Sequence, residues 1–106
     1  MAWLLLTIAG LFEVCWALGL KYSQGFTNLR WSMFTLVTLA ASMLLLAQSL
    51  RTLPIGTAYA IWTGIGAVGT AIVGMVLFNE PRTALRLVCI GLILAGIVGL
   101  KVASSD

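Results

Sequence analysis

Apolar residues run almost unbroken through four stretches of this chain, and the polar residues gather between them. Ala2 to Leu20 carries one charged residue, Glu13. Trp31 to Leu50 and Ile55 to Phe78 carry none, and Ala84 to Val102 has Arg86 near one end and Lys101 near the other. A membrane-crossing helix needs about 20 mainly apolar residues, within a range of roughly 17–25. All four stretches fit. Lys and Arg near helix ends snorkel to the headgroups, so Arg86 and Lys101 do not disqualify the fourth. The pattern predicts an all-α membrane protein, one domain over residues 1–106, with transmembrane helices over about 2–20, 31–50, 55–78 and 84–102.

The connections carry turn chemistry. Ser23-Gln24-Gly25 is expected to end the first helix, with Gly25 free to take a positive φ. Thr27 or Asn28 is expected to cap the second. Pro54 suits the first turn of the third helix, and Pro81 that of the fourth. Connections this short impose an up-down-up-down order with both termini on one side of the membrane. The tail Ala103-Ser104-Ser105-Asp106 is expected to fray. No basic residue precedes Lys21 and Glu13 interrupts the first apolar stretch, so a cleaved leader is not expected.

Composition removes whole classes of function. Hydrophobic residues make up 61% of the chain and charged residues 8%, against about 25% charged in a soluble domain. Such a chain cannot cover a water-facing surface, so it is not a soluble enzyme, and it is too apolar for disorder. With no histidine, imidazole catalysis and His-based metal sites are excluded, and neither a metal nor another cofactor is expected. Cys15 and Cys89 sit in apolar runs and read as small core residues. The net charge of +3 comes from scattered basic residues at the ends of apolar runs, which points to membrane anchoring and not to nucleic acid. Lys21, Arg30, Arg82 and Arg86 flank one membrane side, and Arg51 and Lys101 the other. Four against two is a small bias, and a small bias permits insertion in both orientations.

Glu13 is the most informative residue. A charge at the centre of a membrane helix costs about 2.5–3.5 kcal/mol on insertion scales, so it should face protein or water and marks an ion or proton pathway. The alternative is a neutral, hydrogen-bonded structural carboxyl. Its helical neighbours Ala9, Gly10, Trp16 and Ala17 give a small and aromatic face. Thr35, Thr38, Ser42 and Ser49 form a polar stripe on the second helix, with Ser42 at the depth of Glu13. It reads either as partners for the carboxylate or as helix–helix glue. Tyr59, Trp62, Thr63 and Gly66 share a face of the third helix, suited to a cation or to aromatic packing.

Gly64-Ile65-Gly66-Ala67-Val68-Gly69 formally matches G-x-G-x-x-G. A nucleotide site needs that motif between a strand and a helix, and here it lies inside an uncharged apolar run. Gly64, Gly66 and Gly69 are instead candidates for close helix contact or a hinge. Gly91, Ala95 and Gly99, with Gly96 beside them, make a small-residue surface for self-association. A homodimer would bring two Glu13 side chains together.

Taken together, Glu13, the run Lys21-Tyr22-Ser23-Gln24-Gly25-Phe26-Thr27, the run from Pro54 to Gly66 and the glycine-rich fourth helix resemble the small multidrug resistance transporters over nearly the whole chain. Phe12-Glu13-Val14-Cys15-Trp16-Ala17 and Lys101 resemble the guanidinium-exporting branch of that family. The resemblance implies an antiparallel, dual-topology homodimer in a bacterial inner membrane, embedded in lipid, exchanging protons for guanidinium by alternating access. It implies that Glu13 of both chains binds substrate and protons competitively. It further implies that Ser42 and Trp62 bond or orient Glu13, that Tyr59 acts at the access switch, and that Gly10 and Trp16 line the pocket. One departure is Cys89, which stands where the family often has the first of two helix 4 glycines, seven before Gly96. Two rivals remain: a polydrug exporter of quaternary ammonium or aromatic cations, and an oligomeric channel or rotor proteolipid.

Overall fold

The computed structural model describes residues 2–103. Four helices follow one another: α1 (Ala2–Tyr22), α2 (Leu29–Ser49), α3 (Ile55–Leu77) and α4 (Ala84–Ala103). Each is long and apolar enough to cross a membrane. At one end Lys21 Nζ lies 4.9 Å from the Phe78 ring centroid and Tyr22 stacks on Trp31, which gathers the 23–28 and 78–83 connections. At the other, Lys101 Nζ sits 4.4 Å over Trp3, joining the end of α4 to the start of α1. The order is therefore up-down-up-down, as expected.

Helix ends depart from the hydropathy edges where capping chemistry intervenes. Helix α1 continues through Lys21 and Tyr22, since leaving the apolar layer does not break a helix. Asn28 caps α2, accepting from the Trp31 amide at 3.2 Å, so the helix begins at Leu29 and takes in Arg30. The turn after α1 places Gln24, Gly25 and Phe26 all at positive φ, where only Gly25 was expected. Pro81 does not lie in the first turn of α4. Asn79 at φ 53° turns the chain back, and Thr83 Oγ1 accepts from the Arg86 amide at 3.2 Å just before α4 begins. Ala103 is the last residue of α4; Ser104 to Asp106 lie outside the described residues.

Helix α1 packs on α2 and α3, while α4 packs on α3. Helix α2 is inside-out for a soluble helix. Its buried residues are Ser32, Thr35, Thr38, Ser42, Leu46 and Ser49, whereas Leu36, Val37, Met43 and Leu44 are exposed. Most of these hydroxyls are satisfied within α2 itself, as in Thr35 Oγ1 to Trp31 O at 2.7 Å and Ser49 Oγ to Leu46 O at 2.7 Å. In lipid this arrangement is stable, because the apolar face already has an apolar solvent and small polar side chains permit close packing. None of the described residues of α4 is buried. Cys89 is accordingly exposed on the single chain and is not the core residue expected, whereas Cys15 is half-buried.

Candidate functional site

The site assembles where α1, α2 and α3 meet. Gly66 of α3 has no side chain at the point where the Glu13 carboxyl arrives from α1; a Cβ there would overlap Glu13 Oε1, Cδ and Cγ. One turn on, Gly69 receives the Val14 side chain. In the other direction Gly10 accepts Ile65, and a Cβ at Gly10 would lie 2.6 Å from Ile65 Cγ2. The glycines of both helices thus draw α1 and α3 together around Glu13. Helix α3 runs unbroken through Gly64, Gly66 and Gly69. Gly64 faces the other way, towards Ile93 and Ile97 of α4.

Ser42 ties the three helices together. It is fully buried, donates to Ala9 O of α1 at 2.7 Å and accepts from Trp62 Nε1 of α3 at 2.9 Å. Glu13 follows Ala9 by four residues, so the i to i−4 rule makes the Ala9 carbonyl the helical acceptor of the Glu13 amide. The Trp62–Ser42–Ala9 chain therefore ends on the backbone that carries Glu13. Direct bonds from Ser42 or Trp62 to the carboxylate, allowed by the sequence, are not present: the single hydroxyl proton and the single indole proton are committed elsewhere.

The carboxylate itself is left with capacity to bind. Glu13 Oε1 is buried and has no hydrogen-bond partner among the described residues, and the same is true of Trp16 Nε1 three residues later. A buried acceptor and a buried donor, both unmet, face the same problem, since each such group costs about 1–3 kcal/mol. Trp3 Nε1 is also unmet, at the far end of α1.

The aromatic stripe of α3 divides. Trp62 is 6% exposed, while Tyr59 is 56% exposed, with ring centroids 5.4 Å apart. Tyr59 and Thr63 open to the outside of the single chain; Trp62 and Gly66 turn inwards. Gly91, Ala95, Gly96 and Gly99 all lie on the exposed surface of α4, and a Cβ at any of these three glycines meets nothing within 4 Å. The helix angle of about 100° per residue places Gly91, Ala95 and Gly99 opposite Ile93 and Ile97, the residues of α4 that face Gly64 of α3.

Sequence reasoning missed the roles of the Ala9 carbonyl, Ile65 and Val14. A backbone acceptor leaves no trace in residue identity, and Ile65 and Val14 look like any other apolar residue in an apolar run.

Comparison with known proteins gives a consistent picture. The family model described as Small Multidrug Resistance protein matches residues 1–93. A protein of Yersinia pseudotuberculosis named guanidinium exporter is 62% identical over 104 residues, covering 98% of this chain and all of the relative. Proteins of the same name from Citrobacter freundii and Salmonella typhimurium are 54% and 55% identical, each match covering 98% of this chain and 99% of the relative. With its four membrane-length helices, this is a multi-pass protein of the bacterial inner membrane. The chain belongs to the small multidrug resistance family.

Proposed function

We propose that this protein exports guanidinium in exchange for protons, working by alternating access as an antiparallel homodimer. The observation that carries the proposal is the Glu13 carboxylate. It is the one acidic side chain within the apolar helices, it rests against Gly66, and its Oε1 lacks a partner among the described residues, as does Trp16 Nε1 three residues on. Relatives named guanidinium exporter, matching over nearly their whole length, supply the cargo.

The chemistry follows from what a buried carboxylate can hold. Guanidinium is planar, permanently charged near neutral pH and edged with donors that match a carboxylate in pairs. A proton neutralises the same group. Protonated, Glu13 has no charge left to balance a buried cation; with the cation bound, it has no reason to take up a proton. Exclusive occupancy converts two binding equilibria into exchange, provided the site faces one membrane side at a time. Trp62 and Ser42 act through the Ala9 backbone and hold Glu13 in register, while Trp16 and Gly10 border it. Tyr59, open to the outside of one chain, is placed to meet a partner chain at the access route.

Dimerisation supplies what one chain lacks. Helix α4 contributes no buried residue, and its outer face carries Gly91, Ala95, Gly96 and Gly99. Close helix approach through small residues suits such a face. The small four-to-two bias of basic residues suits chains inserted in opposite orientations. Two Glu13 side chains would then share one site and titrate as a coupled pair.

Transport in proteoliposomes under a proton gradient tests the reading. Guanidinium is expected to drive proton flux, and urea, with the same shape and no charge, is expected to drive none. Better competition by tetraethylammonium than by guanidinium would assign the protein to polydrug export instead.

A further inference from the structure

A second acidic side chain turns inwards from the 78–83 connection. Asn79 at φ 53° reverses the chain, and the Glu80 amide returns to Gly74 O at 3.2 Å. The Glu80 carboxyl then lies against Gly74, where a Cβ would collide with it. It borders a cavity of about 330 Å³ between α1, α3 and α4, whose lining includes Ala17, Lys21, Ala67, Thr70, Glu80 and Arg86. The inner part of that lining approaches the Glu13 site. Ala17 follows Glu13 by one turn of α1, and Ala67 adjoins Gly66, on which the Glu13 carboxyl rests.

Glu80 already holds a guanidinium group, that of Arg86. The pair is joined by one bond, Arg86 Nη2 to Glu80 Oε1 at 2.7 Å, where a fork-to-fork pair would use both carboxylate oxygens. The Arg86 and Glu80 side chains are 34% and 41% exposed, so water reaches and weakens the contact. Arg86 Nε is buried without a partner among the described residues, so the arginine is incompletely satisfied where it lies. Free guanidinium offers Glu80 the same planar donor edge. Replacing Arg86 by guanidinium exchanges one ion pair for another of the same chemistry and leaves no carboxylate unpaired.

We propose that Glu80 is a second, outer site for a guanidinium-class cation at the loop end of this cavity, and that Arg86 occupies it as a tethered competitor which arriving cargo displaces. The proposal rests on the reading of guanidinium as cargo and adds a capture step before Glu13. Glu80 and Arg86 thereby set the apparent affinity without taking part in proton exchange.

The test separates the two sites. Guanidinium binding is measured by isotope-detected NMR titration on purified dimer carrying Glu13→Gln, so that the inner carboxylate is absent. Weak binding is expected to remain. Adding Arg86→Gln removes the competitor and should tighten it by about two- to sixfold, the range set by the occupancy of an exposed ion pair. Adding Glu80→Gln to that double variant should abolish it. In chains that keep Glu13, Glu80→Gln should raise the KM for guanidinium transport and spare kcat. Gly74→Ala, which displaces the Glu80 carboxyl without altering charge, should do the same if Glu80→Gln misfolds. Binding that is unchanged by Glu80→Gln, or unchanged by Arg86→Gln, overturns the proposal, as does a loss of kcat with KM unaltered. Failure of guanidinium exchange itself would show instead in the chains that retain Glu13.

Discussion

Ser42→Ala removes one oxygen and two hydrogen bonds. The Ala9 carbonyl loses the donor it meets at 2.7 Å, though its own helix still uses it, and Trp62 Nε1 loses the acceptor it meets at 2.9 Å. Interhelical hydrogen bonds in membranes average about 0.6 kcal/mol and reach about 1.7. Two are lost here, and the indole N–H stays in a site where Trp62 is 6% exposed. An unmet buried donor brings the expected loss to about 1–3 kcal/mol. Trp62→Phe should be milder, because it deletes the donor and leaves the Ser42 hydroxyl bonded to Ala9. Once Phe stands at 62, adding Ser42→Ala strands no indole, so the double variant should lose less than the sum of the two single losses. Thermal unfolding of the detergent-solubilised protein reads this coupling, and the guanidinium KM should rise in step as Glu13 loses its register. Strict additivity, or a Ser42→Ala protein as stable as the parent, would refute the positioning role of the Trp62–Ser42–Ala9 chain.

Three further outcomes follow from the packing. Gly66→Ala places a Cβ in the Glu13 carboxyl; far-UV circular dichroism should stay helical while guanidinium exchange falls by about tenfold or more through misplacement of the reacting group. Gly10→Ala meets Ile65 Cβ at 2.8 Å, an atom without freedom to swing away, and unfolding assays should register a loss of about 1–3 kcal/mol from overpacking. Cysteine crosslinking between copies should join the N-terminal end of one chain to the Lys21–Arg30 end of its partner; crosslinks confined to like ends would rule out the antiparallel dimer.

The four helices were legible because apolar length alone identifies a membrane span, and the lipid sets that length. Their ends were less so. Hydropathy marks the edge of the apolar layer, whereas Asn28 and Asn79 decide where the backbone turns. Glu13 stood out in the sequence, since a carboxylate in a membrane helix demands an explanation, and the hydroxyl stripe of α2 was correctly read as one face. What the hydroxyls bond to was not legible. Ser42 chooses a backbone carbonyl of α1 over the carboxylate, and no side-chain pattern encodes that choice. The glycine series of α3 was visible as a set, but only three-dimensional packing shows that Gly66 and Gly69 face α1 while Gly64 faces α4. Glu80 does not stand out in the sequence, because its inward turn depends on the positive φ of Asn79.

Coupling at Glu13 is tested most directly by guanidinium-driven proton flux in proteoliposomes holding either the parent or the Glu13→Gln protein. Gln keeps the shape of the side chain and removes both the charge and the exchangeable proton. Flux should be present in the parent and absent in a folded Glu13→Gln protein that elutes as the parent does. A folded Glu13→Gln protein that still exchanged guanidinium for protons would place the coupling on another group.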